Sequence, residues 1–186
     1  MGAGCSGLTP VEKESAWYFR VAVPKHYDVW VQYMEFELSG EYAWHQAPGF
    51  VSCCWRGDHG PRGPGGRLDP FPNYIAIQWF SYAEQKFYQR LMSIPEAWLE
   101  KMKEPAPYTT SLGAFEGPRD SLIFGLAPGG EIVVWVMNQI GNEIELARLQ
   151  ANEIEGDPSE FKQTTEGYLE RSGDHLEEHG IPKEGW

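Results

Sequence analysis

The stretch His175-Leu176-Glu177-Glu178-His179 carries the spelling H-x-x-E-H, that of an inverted zinc peptidase. On a helix, histidines at i and i+4 share one face, which is what paired zinc ligation needs. No third ligand follows in residues 180–186, and the flank is acidic and polar. The reading adopted is a solvated helix face, with a zinc hydrolase using His175, Glu178 and His179 as an alternative. His26, His45 and His59 stand alone, unpaired with any carboxylate by spacing. Cys53 and Cys54 are neighbours, and successive strand residues point to opposite faces, so two free thiols are expected, one of them buried. No Cys-x-x-Cys occurs, which excludes a thiolate zinc site or a thioredoxin-like redox pair. Ser39 and Ser111 both fail the G-x-S-x-G nucleophile elbow. The glycines of residues 60–66 have no helix directly after them, so a phosphate cradle is not expected. The expectation is no catalytic residue, no metal and no cofactor.

The chain has 186 residues, 27 acidic against 15 basic, for a formal charge of −12. That charge argues against nucleic acid and anionic membrane surfaces as partners and admits a basic protein. Residues 153–186 hold ten acids and three bases, so the excess concentrates at a candidate docking face. Glu170, Asp174, Glu177 and Glu178 are its expected contact residues. Aromatic residues make up 14%, including 8 Trp, enough for a substantial core and against disorder. Some of those rings could instead form a sugar platform. Trp44, between Tyr42 and His45, is the first position to examine. No apolar run approaches the roughly 20 residues of a membrane helix.

These residues are positioned by strands and two helical regions. Alternation marks strands at 16–23 and 28–39, the latter with Val29, Val31 and Tyr33 on one face and Trp30, Met34 and Phe36 on the other. Residues 40–49 read as a loop carrying Tyr42, Trp44 and His45, and 50–55 as a short strand. Residues 57–72 are dense in Gly and Pro and read as an irregular loop, with Asp58, Arg62 and Arg67 as candidate contacts. A strand follows at 73–80, then helices at 82–92 and 95–103, then an irregular connection over 105–118. Residues 121–127 and 131–137 flank Pro128-Gly129-Gly130 as a hairpin. Another strand is read near 143–152. Residues 158–179 read as a helix, with Gly173 as a candidate break. The fold class is therefore α+β. Residues 16–186 form a single domain of six or seven strands, mainly antiparallel, arranged as a meander with hairpins. A central helical segment and a C-terminal helix pack on the sheet.

Three segments carry a family resemblance: Ile77-Gln78-Trp79-Phe80-Ser81-Tyr82-Ala83-Glu84-Gln85-Lys86-Phe87-Tyr88, the run from Ile123 through Pro128-Gly129-Gly130 to Trp135, and Gly180-Ile181-Pro182. At this separation they resemble an uncharacterised family of proteobacterial lipoproteins, domain of unknown function 2931. The resemblance spans roughly residues 17–186. It implies a lipobox cysteine, and Gly2-Ala3-Gly4-Cys5-Ser6 resembles the end of a lipoprotein signal peptide, departing from it at Gly2. Cys5 would then be the lipid attachment point, residues 1–15 a tether, and Ser6 a signal for the outer membrane. The family has no established catalytic residues to carry over.

Some members look to be encoded beside type VI secretion toxins, lipases among them, which implies immunity proteins. The function expected is a periplasmic, lipid-anchored protein that binds one secreted antibacterial effector 1:1, a phospholipase being a candidate. It would cover the effector's active-site entrance or hold its lid shut. The membrane is met only through the lipid anchor, and nucleic acid is not a partner. A cell-envelope module for glycan or lipid is the second reading.

Overall fold

Strands rich in β-branched and aromatic residues build two stacked sheets, seen in a computed structural model that describes residues 16–186. Cys5 and the other residues of the expected tether, 1–15, lie outside the described residues. In chain order the elements are β1 (Trp17–Ala22), β2 (Val29–Leu38), β3 (Tyr42–Gln46), β4 (Gly49–Val51), β5 (Gly65–Leu68), β6 (Tyr74–Ser81), β7 (Lys86–Ser93) and α1 (Glu96–Lys103). Then come β8 (Pro105–Thr110), β9 (Gly113–Pro118), β10 (Ser121–Ala127), β11 (Glu131–Met137), β12 (Ile144–Gln150), β13 (Asn152–Ile154) and α2 (Lys162–His179).

The first sheet runs β12-β11-β10-β1-β5 and the second β13-β7-β6-β2-β3, with β4 pairing the start of β2. All pairs are antiparallel but one: β1 lies parallel to β10, Tyr18 opposite Ser121. The inner faces meet in one core. Phe19, Leu122, Phe124 and Val134 come from the first sheet, and Val31, Phe36, Ile77 and Trp79 from the second. Phe19 and Phe36 touch across it at 4.9 Å between ring centroids. α1 adds Trp98 and Met102. β10 is buried along its whole length, which is why its sequence is a continuous apolar run rather than an alternating one.

The expected α+β class, the hairpin around Pro128-Gly129-Gly130, the helix at 95–103 and the C-terminal helix are all present. Gly129 sits at φ 80°, the left-handed turn position that favours glycine. α2 runs unbroken through Gly173.

Several elements differ from expectation. Residues 82–92 are not a helix: residues 82–85 turn and β7 returns beside β6. Phe87 packs under α2 while Tyr88 faces the core, so both faces are buried and the period-two signal is lost. Residues 42–46 are an edge strand rather than a loop, disguised by exposure along its length. The loop at 57–72 contains β5. Its glycines are a condition of pairing: a Cβ on Gly65 would lie 1.9 Å from the Phe19 carbonyl oxygen, and one on Gly63 1.7 Å from that of Val21. Residues 105–118 form the β8–β9 hairpin, a two-stranded sheet apart from the other two, where prolines are tolerated. In β2 the pairing slips between Val31 and Tyr33, so Gln32 is an extra residue. The slip puts Met34 and Phe36 on the core face with Val29 and Val31, reversing the expected faces. Of the expected strand at 50–55 only Phe50 and Val51 form, within β4. Cys53 and Cys54 are joined in a disulfide rather than free, Cys53 exposed and Cys54 half-buried.

Candidate functional site

α2 lies across one end of the outer face of the second sheet. Asp157 opens the approach by accepting from the Ser159 N–H at 2.9 Å. Phe161 stacks on Phe80 with centroids 4.4 Å apart. Tyr168 is fully buried against Tyr82 at 5.6 Å, and its hydroxyl donates to the His26 carbonyl at 2.6 Å. Thr165 and Ser172 complete the inward face. Arg171 reaches back over the Phe50 ring and to within 3.5 Å of the buried Asp28 carboxylate. Burial pushes the Asp28 carboxyl above the usual range, and Arg171 partly opposes that.

The outward face carries Glu166, Glu170, Asp174, Glu177 and Glu178, all exposed. Among the described residues the cation nearest these carboxylates is His179, 3.8 Å from Glu178 and charged only when protonated. Glu170, Asp174, Glu177 and Glu178 therefore stand together on one helix.

The zinc-like spelling produces a different geometry. The His175 ring stacks between His26, at 4.0 Å, and His179, at 4.3 Å, with interplanar angles of 17° and 13°. Nearly parallel rings direct their nitrogen lone pairs side by side rather than onto one point. Among the described residues no group of three or more His, Cys, Asp or Glu side chains is placed to hold a metal ion. Burial, then the neighbouring charges of His175, Lys25 and His179, hold the His26 imidazole below its usual pKa. The Tyr27 hydroxyl donates to the Gly180 carbonyl at 3.1 Å and ties down the helix end.

The remaining candidates fall into two groups. Tyr42, Trp44 and His45 lie on β3, beside the far end of β2 from α2. The Trp44 ring stacks on Phe36 and on Tyr42, each at 5.3 Å; Trp44 is half-buried against the core and Tyr42 is exposed. Asp58 and Arg62 are exposed in the loop before β5, where the Arg62 backbone exchanges hydrogen bonds with Cys54 at 3.0 and 3.1 Å. Arg67, on β5, pairs with exposed Asp69 at 3.2 Å. Through Trp55, Trp186 and Tyr27 this loop neighbours the end of α2, with ring centroids 6.3 and 5.0 Å apart. The loop of Asp58 and Arg62 thus neighbours the end of α2, whereas Arg67 lies toward β3, where a Cβ on its neighbour Gly66 would come within 3.7 Å of Gln46.

A further feature was not singled out from sequence. Beyond α2, the outer face of the second sheet opens into a cavity of about 280 Å³ lined by Glu35, Glu37, His45, Tyr74, Ala76 and Leu91. Its signal was in the chain: two glutamates at i and i+2 alternating with Met34, Phe36 and Leu38.

A family model described as Protein of unknown function (DUF2931) matches residues 6–184. No curated protein and no solved structure matches the chain.

Proposed function

The chain belongs to the family described as protein of unknown function (DUF2931), and from that premise we propose that it is an immunity protein of the bacterial periplasm. It binds one antibacterial effector delivered by type VI secretion and blocks it, a phospholipase fitting the resemblance. The observation that carries the reading is α2. Its inward face is fixed to the sheet by aromatic stacking and a buried hydrogen bond, while its outward face presents Glu170, Asp174, Glu177 and Glu178. An inhibitor of this kind needs a rigid scaffold and a complementary surface, with no chemistry of its own. An exposed row of carboxylates steers a basic partner and accelerates its encounter by a factor of about 10–10³, an effect that salt suppresses. The exposed Asp58 and Arg62 extend the surface toward the same end of the molecule. Acylation at Cys5, with Ser6 after it, would tether the protein to the outer membrane where the effector arrives.

The test is co-production of the tagged protein with the secreted toxin encoded beside it, followed by affinity capture. A 1:1 complex that weakens as salt rises is expected. Failure of the two to co-purify at low salt would overturn the reading.

A further inference from the structure

Three zones follow one another along the outer face of the second sheet. At one end α2 seals the face over Phe80 and Phe87. Next comes a row of polar side chains locked to each other. Tyr33 donates to Gln78 at 2.9 Å, Gln89 donates to Tyr33 at 2.7 Å, and Gln78 donates to Gln32 at 3.0 Å. Beyond that row the face is uncovered.

The strand register shows why it forms a cup. His45, Glu35, Ala76 and Leu91 stand side by side across β3, β2, β6 and β7, and the next row out places Glu37 beside Tyr74. The small Ala76 makes a floor. Glu35 and His45 wall one side, Leu91 the other, and Tyr74 the outer end. Tyr74 is 43% exposed and Leu91 68%, a pairing of aromatic ring and aliphatic wall left open to solvent. Glu35 and Glu37 have no Lys or Arg within 4.0 Å among the described residues. Two strand positions apart on one face, their backbones are about 6.6 Å from each other.

We infer that this cup takes an arginine side chain of a protein partner. The guanidinium fits each wall. Its forked donors can bridge two neighbouring carboxylates, its flat face packs on Tyr74, and its methylene stem lies along Leu91. The partner is the effector of the proposed function, and only the source of the arginine rests on that reading.

The probe is a capped tri-arginine peptide titrated into ¹⁵N-labelled protein and followed by NMR. Amide shifts are expected at Glu35, Glu37, Ala76 and Leu91, with binding weakened at least tenfold in Glu35→Gln/Glu37→Gln and in Leu91→Ala. Glu177→Gln/Glu178→Gln should leave the cup shifts in place. Melting curves of the variants check the fold, and all these side chains lie at the surface. Shifts confined to α2, or equal binding by wild type and Glu35→Gln/Glu37→Gln, would overturn the inference. The effector is not used, so this failure would leave the immunity reading standing, and failure to capture the effector would leave the cup standing.

Discussion

The attachment of α2 to the sheet can be tested at one atom. Tyr168→Phe keeps the ring, its stacking on Tyr82 and its burial, and deletes only the hydroxyl that donates to the His26 carbonyl at 2.6 Å. A neutral hydrogen bond contributes about 1 kcal/mol net, and stranding a buried partner raises the loss to between about 1 and 3 kcal/mol. Taking about 1.5 kcal/mol, and about 2–4 °C of melting temperature per kcal/mol for a chain of this size, the expected fall is about 3–6 °C. Hydrogen exchange locates the effect. If α2 opens locally, its amides should exchange roughly tenfold faster, since about 1.4 kcal/mol is one decade in an equilibrium constant. Amides of β10 and β11 should be unchanged. Tyr168→Ala, which also removes the ring, should cost about 3–5 kcal/mol. If Tyr168→Phe left both the melting temperature and the α2 exchange as they are in the wild type, the hydrogen bond would not hold the helix, and the reasoning would fail.

Gly65→Ala should displace β5, because the added Cβ meets a backbone oxygen at 1.9 Å and no side chain can yield. A drop in the urea midpoint equivalent to more than about 2 kcal/mol is expected, in the range of overpacked interiors. The His26 imidazole titrates lower in the fold than free, so the folded state favours its neutral form. Its contribution is fully present above the ordinary value of 6.5 and is lost as pH falls through the lowered pKa. His26→Asn tolerates the φ of 74° there and should flatten the acid limb of stability against pH in that window, measured by chemical unfolding. Asp28 has the opposite sign for a carboxyl. Its raised pKa makes the protonated form the favoured one, so stability contributed by Asp28 falls as pH rises from the ordinary value of 3.8 to the raised value. Asp28→Asn should remove that slope.

The sequence made some of this legible and hid the rest for physical reasons. The β10–β11 hairpin was plain because apolar strands flank a turn whose glycine must take a left-handed φ. α2 was plain because its inward residues recur at helical spacing over five turns. β7 was hidden because α2 buries its outer face at Phe87 while the other sheet buries Tyr88, and a strand covered on both sides loses its alternation. β5 was hidden because the glycines that usually signal a loop are here what lets two backbones approach. In β2 one extra residue, Gln32, inverted every assignment after it. The acidic face on α2 could be foreseen from charge spacing alone. The cup could not, because its walls come from four strands whose register is set by tertiary pairing. The disulfide joining Cys53 and Cys54 was likewise out of reach, since alternation along an extended strand predicts divergence.

The most direct measurement is the growth of bacteria that export the neighbouring effector to their own periplasm, with this protein co-produced in two forms. Wild type should restore growth. The quadruple variant Glu170→Lys, Asp174→Lys, Glu177→Lys, Glu178→Lys, folded to the same melting temperature, should not. Death of the cells despite wild-type protein in the periplasm would contradict the immunity role, and full rescue by the quadruple variant would contradict the placement of the interface on α2.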